Sequence, residues 1–269
     1  MKENTGRART RGGARLRIVA FLAPLLAAVA PEAVAQGSDP RALLKAMSSY
    51  VSGLDTIELA LESDIEVITP QLEKIQFSSS SELLLRRPDK LRAHRRSGHA
   101  EVTAFFDGKT YTVESKSLAG YAQIESPGSL DQLIEILRAG YGVALPAADL
   151  LKTNSYDLLV AGVLEAKYIG RGVVDGVSCE HLAFRNFDTD WQLWVEAGDK
   201  PFPRKMVITS KTMNAAPQYT VRVKSWKAGV APAPGAFSFV PPPGAKKLDP
   251  NALLDLDELP QPAPAGGKS

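Results

Sequence analysis

The chain is short of the residues that usually announce chemistry. It has one cysteine, Cys179, and three histidines among 269 residues. A lone cysteine excludes an intramolecular disulfide, so stability has to come from an apolar core. His94, His99 and His181 show neither His-x-x-x-His spacing nor paired cysteines, and no metal or other cofactor is expected. No Gly-x-Ser-x-Gly elbow is present; the nearest string, Gly176-Val177-Ser178-Cys179-Glu180, lacks the second glycine. A phosphate loop and a dinucleotide fingerprint are also missing. Cys179 and His181 stand two apart in an alternating run, with Val177 and Ala183 on the same side. Their side chains would project in parallel, with no oxyanion site beside them, so a buried inert thiol is expected. Asp107, Asp188 and Asp190 occupy positions that turn chemistry explains. An enzyme is not expected.

Long apolar runs are also scarce. The one near the N-terminus, Ile18 to Ala30, covers about 13 residues against the roughly 20 that span a bilayer as a helix. It follows Arg7, Arg9, Arg11, Arg15 and Arg17 and precedes two small-x-small sites, Ala28-Val29-Ala30 and Ala33-Val34-Ala35. Residues 1–35 therefore read as an export signal cleaved after Ala35, with an uncleaved anchor as the alternative. No cysteine follows the small residues, which excludes a bacterial lipoprotein anchor. No transmembrane segment is expected once the signal is removed, and the compartment implied is the periplasm.

An excess of one charge is absent as well. The whole chain carries 32 basic and 30 acidic residues. Residues 1–35 hold six of the basic and two of the acidic ones, so 26 basic and 28 acidic residues remain, a net charge of about −2. Nucleic acid is not an expected partner. A local basic cluster, Arg86, Arg87, Lys90, Arg92, Arg95 and Arg96, reads as the solvated face of one hairpin. Contact with an anionic headgroup or an acidic partner is the alternative.

What the sequence does contain is alternation. From Val173 to Ser210, apolar and polar residues alternate between Asp-Gly and Gly-Asp turn signals, which predicts three antiparallel strands in succession. Trp191 and Trp194 lie three apart and so point to opposite faces. Similar runs cover Thr56–Val67, Ile75–Leu85 (interrupted by Ser78–Ser81), Leu91–Arg96, Glu101–Phe106, Tyr111–Glu114, Tyr121–Glu125, Val163–Ile169 and Gln218–Trp226. Helices are predicted after Ser38-Asp39-Pro40, with Leu43, Met47, Val51 and Leu54 at helical spacing, over Ser129–Ala139 ending at Gly140, and over Leu145–Leu151. About ten strands with three helices leave no room for parallel crossovers. The fold class expected is α+β, mostly β. A strongly curved antiparallel sheet forms an incomplete, half-open barrel, with about three helices in or over its concave face. Residues 36–248 form a single domain in this reading, and 249–269 a polar, Pro- and Gly-rich disordered tail.

Several strings resemble a known family. Arg87-Pro88-Asp89-Lys90-Leu91-Arg92, Phe106-Asp107-Gly108-Lys109-Thr110, Cys179-Glu180-His181-Leu182-Ala183-Phe184 and Asp190-Trp191-Gln192-Leu193-Trp194 are similar to the bacterial family called domain of unknown function 2092, predicted periplasmic proteins. Tyr141-Gly142, the string Leu145 to Leu150 and the ending Phe237-x-Phe239-x-Pro-Pro-x-Gly244-Ala245 fit it too. The resemblance covers residues 39 to 248. That family looks like a branch of the lipoprotein-localisation carriers, which implies a half-closed barrel with helices capping an apolar cavity. It also implies a habit of binding acyl chains or lipidated partners.

The expected function is that of an exported periplasmic protein that binds or carries a hydrophobic ligand, either a lipid or a lipoprotein acyl chain. A non-enzymatic sensor or interaction module that binds another envelope protein is the alternative. Leu130, Leu133, Ile134 and Leu137 are expected to form the lid face of a helix. Trp191, with Leu193 and Val195 on its face, is expected to look into the cavity.

Overall fold

Turn chemistry and alternation build most of this molecule, and two capped helices supply the rest. The computed structural model describes residues 38–143 and 145–251. The first helix, α1 (Pro40–Ser52), starts where Asp39 accepts from the backbone N–H of Arg41 at 2.9 Å, with Pro40 in the first turn. It buries Leu44, Met47 and Val51, and Gly53 closes it. Six strands follow: β1 (Thr56–Ile68), β2 (Lys74–Arg86), β3 (Lys90–Ser97), β4 (Glu101–Phe106), β5 (Thr110–Ser115) and β6 (Gly120–Glu125). Each pairs antiparallel with the next.

Helix α2 (Leu130–Tyr141) opens with a reciprocal capping box. Ser129 accepts from the Gln132 backbone N–H, and the Gln132 side chain accepts from the Ser129 N–H at 2.8 Å. It runs one residue past Gly140, where the sequence suggested an end. Gly142, at φ 65, takes the left-handed conformation that terminates a helix, so the stop falls there. A 3₁₀ turn (Ala148–Leu151) replaces the short helix expected over Leu145–Leu151. A further helix that the sequence reading missed, α3 (Ser155–Val160), follows it. Its six residues are too few to show a repeating apolar stripe.

The chain then crosses to the other side of the sheet. Strands β7 (Glu165–Val174), β8 (Val177–Arg185), β9 (Thr189–Glu196), β10 (Pro203–Ser210) and β11 (Gln218–Ala228) form a second meander, which returns to lay β11 beside β1. A two-residue strand, β12 (Lys246–Lys247), adds parallel to β6. The order across the single sheet is β12-β6-β5-β4-β3-β2-β1-β11-β10-β9-β8-β7. This is one large curved sheet left open between β12 and β7, with the helices in its hollow. Register shifts at Ala60/Leu61 and between Pro203 and Lys205 are bulges of the kind that bend a sheet.

One apolar cluster fills much of the concave side. It joins Leu44, Met47 and Val51 of α1, Leu130, Leu133 and Leu137 of α2, inward residues of the sheet such as Phe106, Leu182 and Leu193, and Phe202 just before β10. Helix α1 also packs on α3, the 3₁₀ turn, β7 and β9.

Candidate functional site

The helices do not fill the whole hollow. A cavity of about 350 Å³ remains between the sheet and the segment that follows α2. That volume lies near the lower end of the range of roughly 300–1,000 Å³ typical of small-molecule sites. Its floor comes from alternate residues of the strands: Leu59 and Leu61 of β1, Leu83 of β2, Val102 and Ala104 of β4, Tyr111 and Val113 of β5, and Val221 and Val223 of β11. Its roof is the link between α2 and the 3₁₀ turn, with Val143, Leu145, Pro146, Ala147, Leu150 and Leu151. Ser63, Ser81 and Arg95 supply polar atoms to an otherwise largely apolar wall.

The roof is a short segment fixed at both ends. Arg138, in the last turn of α2, donates to both carboxylate oxygens of Asp149, at 2.7 and 3.1 Å, and to the Leu145 carbonyl at 2.8 Å. Such a bidentate fork is geometrically selective. At the other end, Arg87 donates to the carbonyls of Leu151 at 2.7 Å, Leu54 at 3.1 Å and Val51 at 3.4 Å. Burial pulls the Arg87 guanidinium below its ordinary value, against the upward pull of Asp131. Between these anchors Ala147 sits at φ 63, a conformation that costs a non-glycine residue about 1–3 kcal/mol.

The residues singled out from sequence lie elsewhere. Leu130, Leu133 and Leu137 are buried in the apolar core and Ile134 is half-buried, and none of the four lines this cavity. The segment after α2 forms the roof of this cavity. An amphipathic stripe shows that a face is buried but not whether it meets side chains or empty space. Trp191 and Leu193 do face inward, together with Val195, but they too are core residues outside the cavity lining. Trp191 stacks on Phe184 at 4.0 Å and donates its indole N–H to the Asn186 side-chain oxygen at 3.1 Å.

Trp194 points outward, as the three-residue spacing requires. It stacks on His181 at 4.0 Å and carries the Lys205 ammonium 4.8 Å from its ring centre. A Cβ at residue 172 would lie 3.2 Å from the Trp194 indole nitrogen, so Gly172 lets the ring lie across β7. Cys179 is fully buried, and burial pushes its thiol up. His181 instead bonds the Gln192 side-chain oxygen at 2.9 Å. The two do not form an activated nucleophile pair.

The basic cluster is not one solvated face. Arg92 and Arg96 are exposed, with Arg92 lying over the Phe105 ring and Arg86 over the Phe237 ring. Arg87 reaches the helix ends, and Arg95 lines the cavity. Strand alternation divides a continuous basic string between the two sides of a sheet.

The fold and cavity together define a half-open antiparallel barrel with a roofed apolar hollow. Within that class, the chain belongs to the family described as predicted periplasmic protein (DUF2092), whose model matches residues 41–249. Among the described residues, no helix is long and apolar enough to cross a membrane. The expected export signal, residues 1–35, and the tail beyond residue 251 lie outside the described residues.

No curated protein matches the chain in sequence. Among solved structures it is similar to LprF from Mycobacterium bovis, at 14% identity and a TM-score of 0.45, covering 72% of this chain and 96% of that one. It is similar to the lipoprotein LppX of Mycobacterium tuberculosis, at 14% identity and a TM-score of 0.41, covering 70% and 96%. The MucA/MucB complex of Pseudomonas aeruginosa gives 12% identity and a TM-score of 0.42, covering 76% of this chain and 62% of that one.

Proposed function

We propose that this protein binds or carries a hydrophobic ligand, a lipid or a lipoprotein acyl chain, without catalysing a reaction on it. The observation that supports this reading is the 350 Å³ cavity, walled by leucine, valine and alanine from five strands and roofed by a segment held at two anchors. An acyl chain entering it leaves water, at about 0.8 kcal/mol per buried CH₂. No chemistry is required of the walls. The roof would admit the chain by releasing one anchor.

Gentle purification followed by native mass spectrometry and lipid extraction tests the reading. The expected result is a bound species whose mass matches an extracted lipid, lost when Ala104→Phe fills the cavity. A protein that carries nothing and gains nothing from added lipid, with or without Ala104→Phe, overturns it. A second reading, a module that binds another envelope protein, is favoured by the open edge at β7. Leu164, Ile169 and Val173 are 69%, 53% and 72% exposed there. A stable protein partner recovered from envelope extracts without lipid, and lost when Ile169 and Val173 are made lysine, would favour it.

A further inference from the structure

The floor of the cavity changes from apolar to polar along three neighbouring strands. Inward residues of β1 run Ile57, Leu59, Leu61 and then Ser63; those of β2 run Leu85, Leu83 and then Ser81 and Ser79. On β3 the same alternation runs from Leu91 and Ala93 to Arg95 and Ser97. The register brings these changes together: Ser81 faces Leu61 on β1 and Arg95 on β3, and two residues further along Ser79 faces Ser63 on one side and Ser97 on the other. A polar band thus crosses the hollow beside an apolar floor. Ser79 and Ser81, from a serine run that looks like a flaw in a long strand, supply the middle of that band.

This band does not behave as ordinary core. Ser63 and Ser79 are buried and bond each other at 2.8 Å, so their hydroxyls are satisfied by one another. Arg95 is the one charged side chain among the described residues that line the cavity. Its guanidinium has five N–H donors in a rigid fork, enough to hold a planar anion while keeping other contacts. Nearby Tyr111, also in the wall, is pushed up to about 12 by burial, against the opposing pull of Arg95. Its hydroxyl therefore remains a donor at any working pH.

We propose that the cavity takes a single-chain amphiphile with a carboxylate head, the head at Arg95 and Ser81 and the chain over Leu59, Leu83, Ala104 and Val113. This rests on the reading of the cavity as a hydrophobic-ligand site. A carboxylate fits the guanidinium fork with two parallel bonds. The volume near the lower end of the ligand range favours one chain over several. Orientation follows from the floor, since a head placed over Leu59 and Leu83 would be buried among groups that cannot bond it.

The test measures binding of a sixteen-carbon fatty acid and of the matching primary alcohol to the delipidated full-length protein, below their micelle concentrations. Calorimetry or displacement of a fluorescent probe would serve. The acid is expected to bind at least about tenfold more tightly than the alcohol. Arg95→Met should bring the acid to the level of the alcohol, and an unchanged circular dichroism spectrum and urea midpoint would show that the variant is folded. Arg95→Lys should restore part of the preference. Equal binding of acid and alcohol by the natural protein, or full acid affinity in Arg95→Met, overturns the head-group assignment while leaving lipid binding standing. Binding of neither ligand defeats the cavity reading itself.

Discussion

Arg87 donates to the carbonyl oxygen of Leu151 at 2.7 Å, and this bond ties the turn between β2 and β3 to the roof of the cavity. The same guanidinium holds Leu54 and Val51 near the end of α1. One side chain thus gathers carbonyl groups from two segments that are far apart in sequence. Arg87→Met keeps much of the stem but leaves those carbonyls without their donor. It is expected to lower stability by about 1.5–3 kcal/mol, the range for hydrogen bonds to a charged group. Urea unfolding checks the size, and faster amide exchange around Leu150 and Leu151 would locate the effect. An unchanged exchange pattern there would show that the roof is held by other contacts.

Helix α2 and the roof that follows it make a sharp comparison. Leu133 is 2% exposed, whereas Leu145 is half-buried beside an existing cavity. Leu133→Ala should cost about 2–5 kcal/mol, as expected where truncation opens a new void. Leu145→Ala enlarges a space already present and should cost about 1 kcal/mol, well below the core range. If chemical denaturation gives the two the same cost, α2 is not the more tightly packed element.

Cys179 is fully buried and its thiol is pushed up, so it should resist thiol reagents while the protein is folded. A colourimetric disulfide reagent at neutral pH is expected to read almost no thiol before denaturation and one per chain after it. A rate that tracks local opening, without global unfolding, would mean that the β8 end of the sheet opens on its own.

Glu66 gives a pH dependence with a defined sign. Its carboxylate accepts from Lys74 at 2.9 Å and from the Gln218 backbone N–H at 2.9 Å, and it is held below the usual value of 4.5 chiefly by the Lys74 bond. A lowered folded value stabilises the fold above the unfolded value, and that contribution is lost as pH falls through the folded one. Glu66→Gln should therefore be less stable than the natural protein at neutral pH. The pair is near the surface and screened, so the gap should be at most about 1 kcal/mol. It should shrink below about pH 4.5 and close on further acidification. A gap that is constant across the titration would show that Glu66 acts through packing instead of charge.

Much of the fold was legible in the residues because it depends on local chemistry. Asp39 with Pro40 starts α1, Ser129 with Gln132 starts α2, and Asp107-Gly108 turns β4 into β5, as near neighbours in sequence dictate. The two-residue period placed eleven of the strands and put Trp191 and Trp194 on opposite faces. The family resemblance carried by residues 39–248 also stands, since the family model matches residues 41–249.

The cavity itself could not be read this way. Its walls come from β1 to β5 and β11, and their approach depends on sheet curvature, bulges and register summed over many residues. The roof between Gly142 and Leu151 has no repeating pattern, and Ala147 takes a conformation its own side chain disfavours. Leu133 and Leu83 are equally apolar, yet one meets packed side chains and the other meets open space. Sequence alone determines which side of an element is apolar, because periodicity follows from backbone geometry. Only the tertiary structure decides what that side faces, because the distance between two surfaces depends on how every intervening element packs.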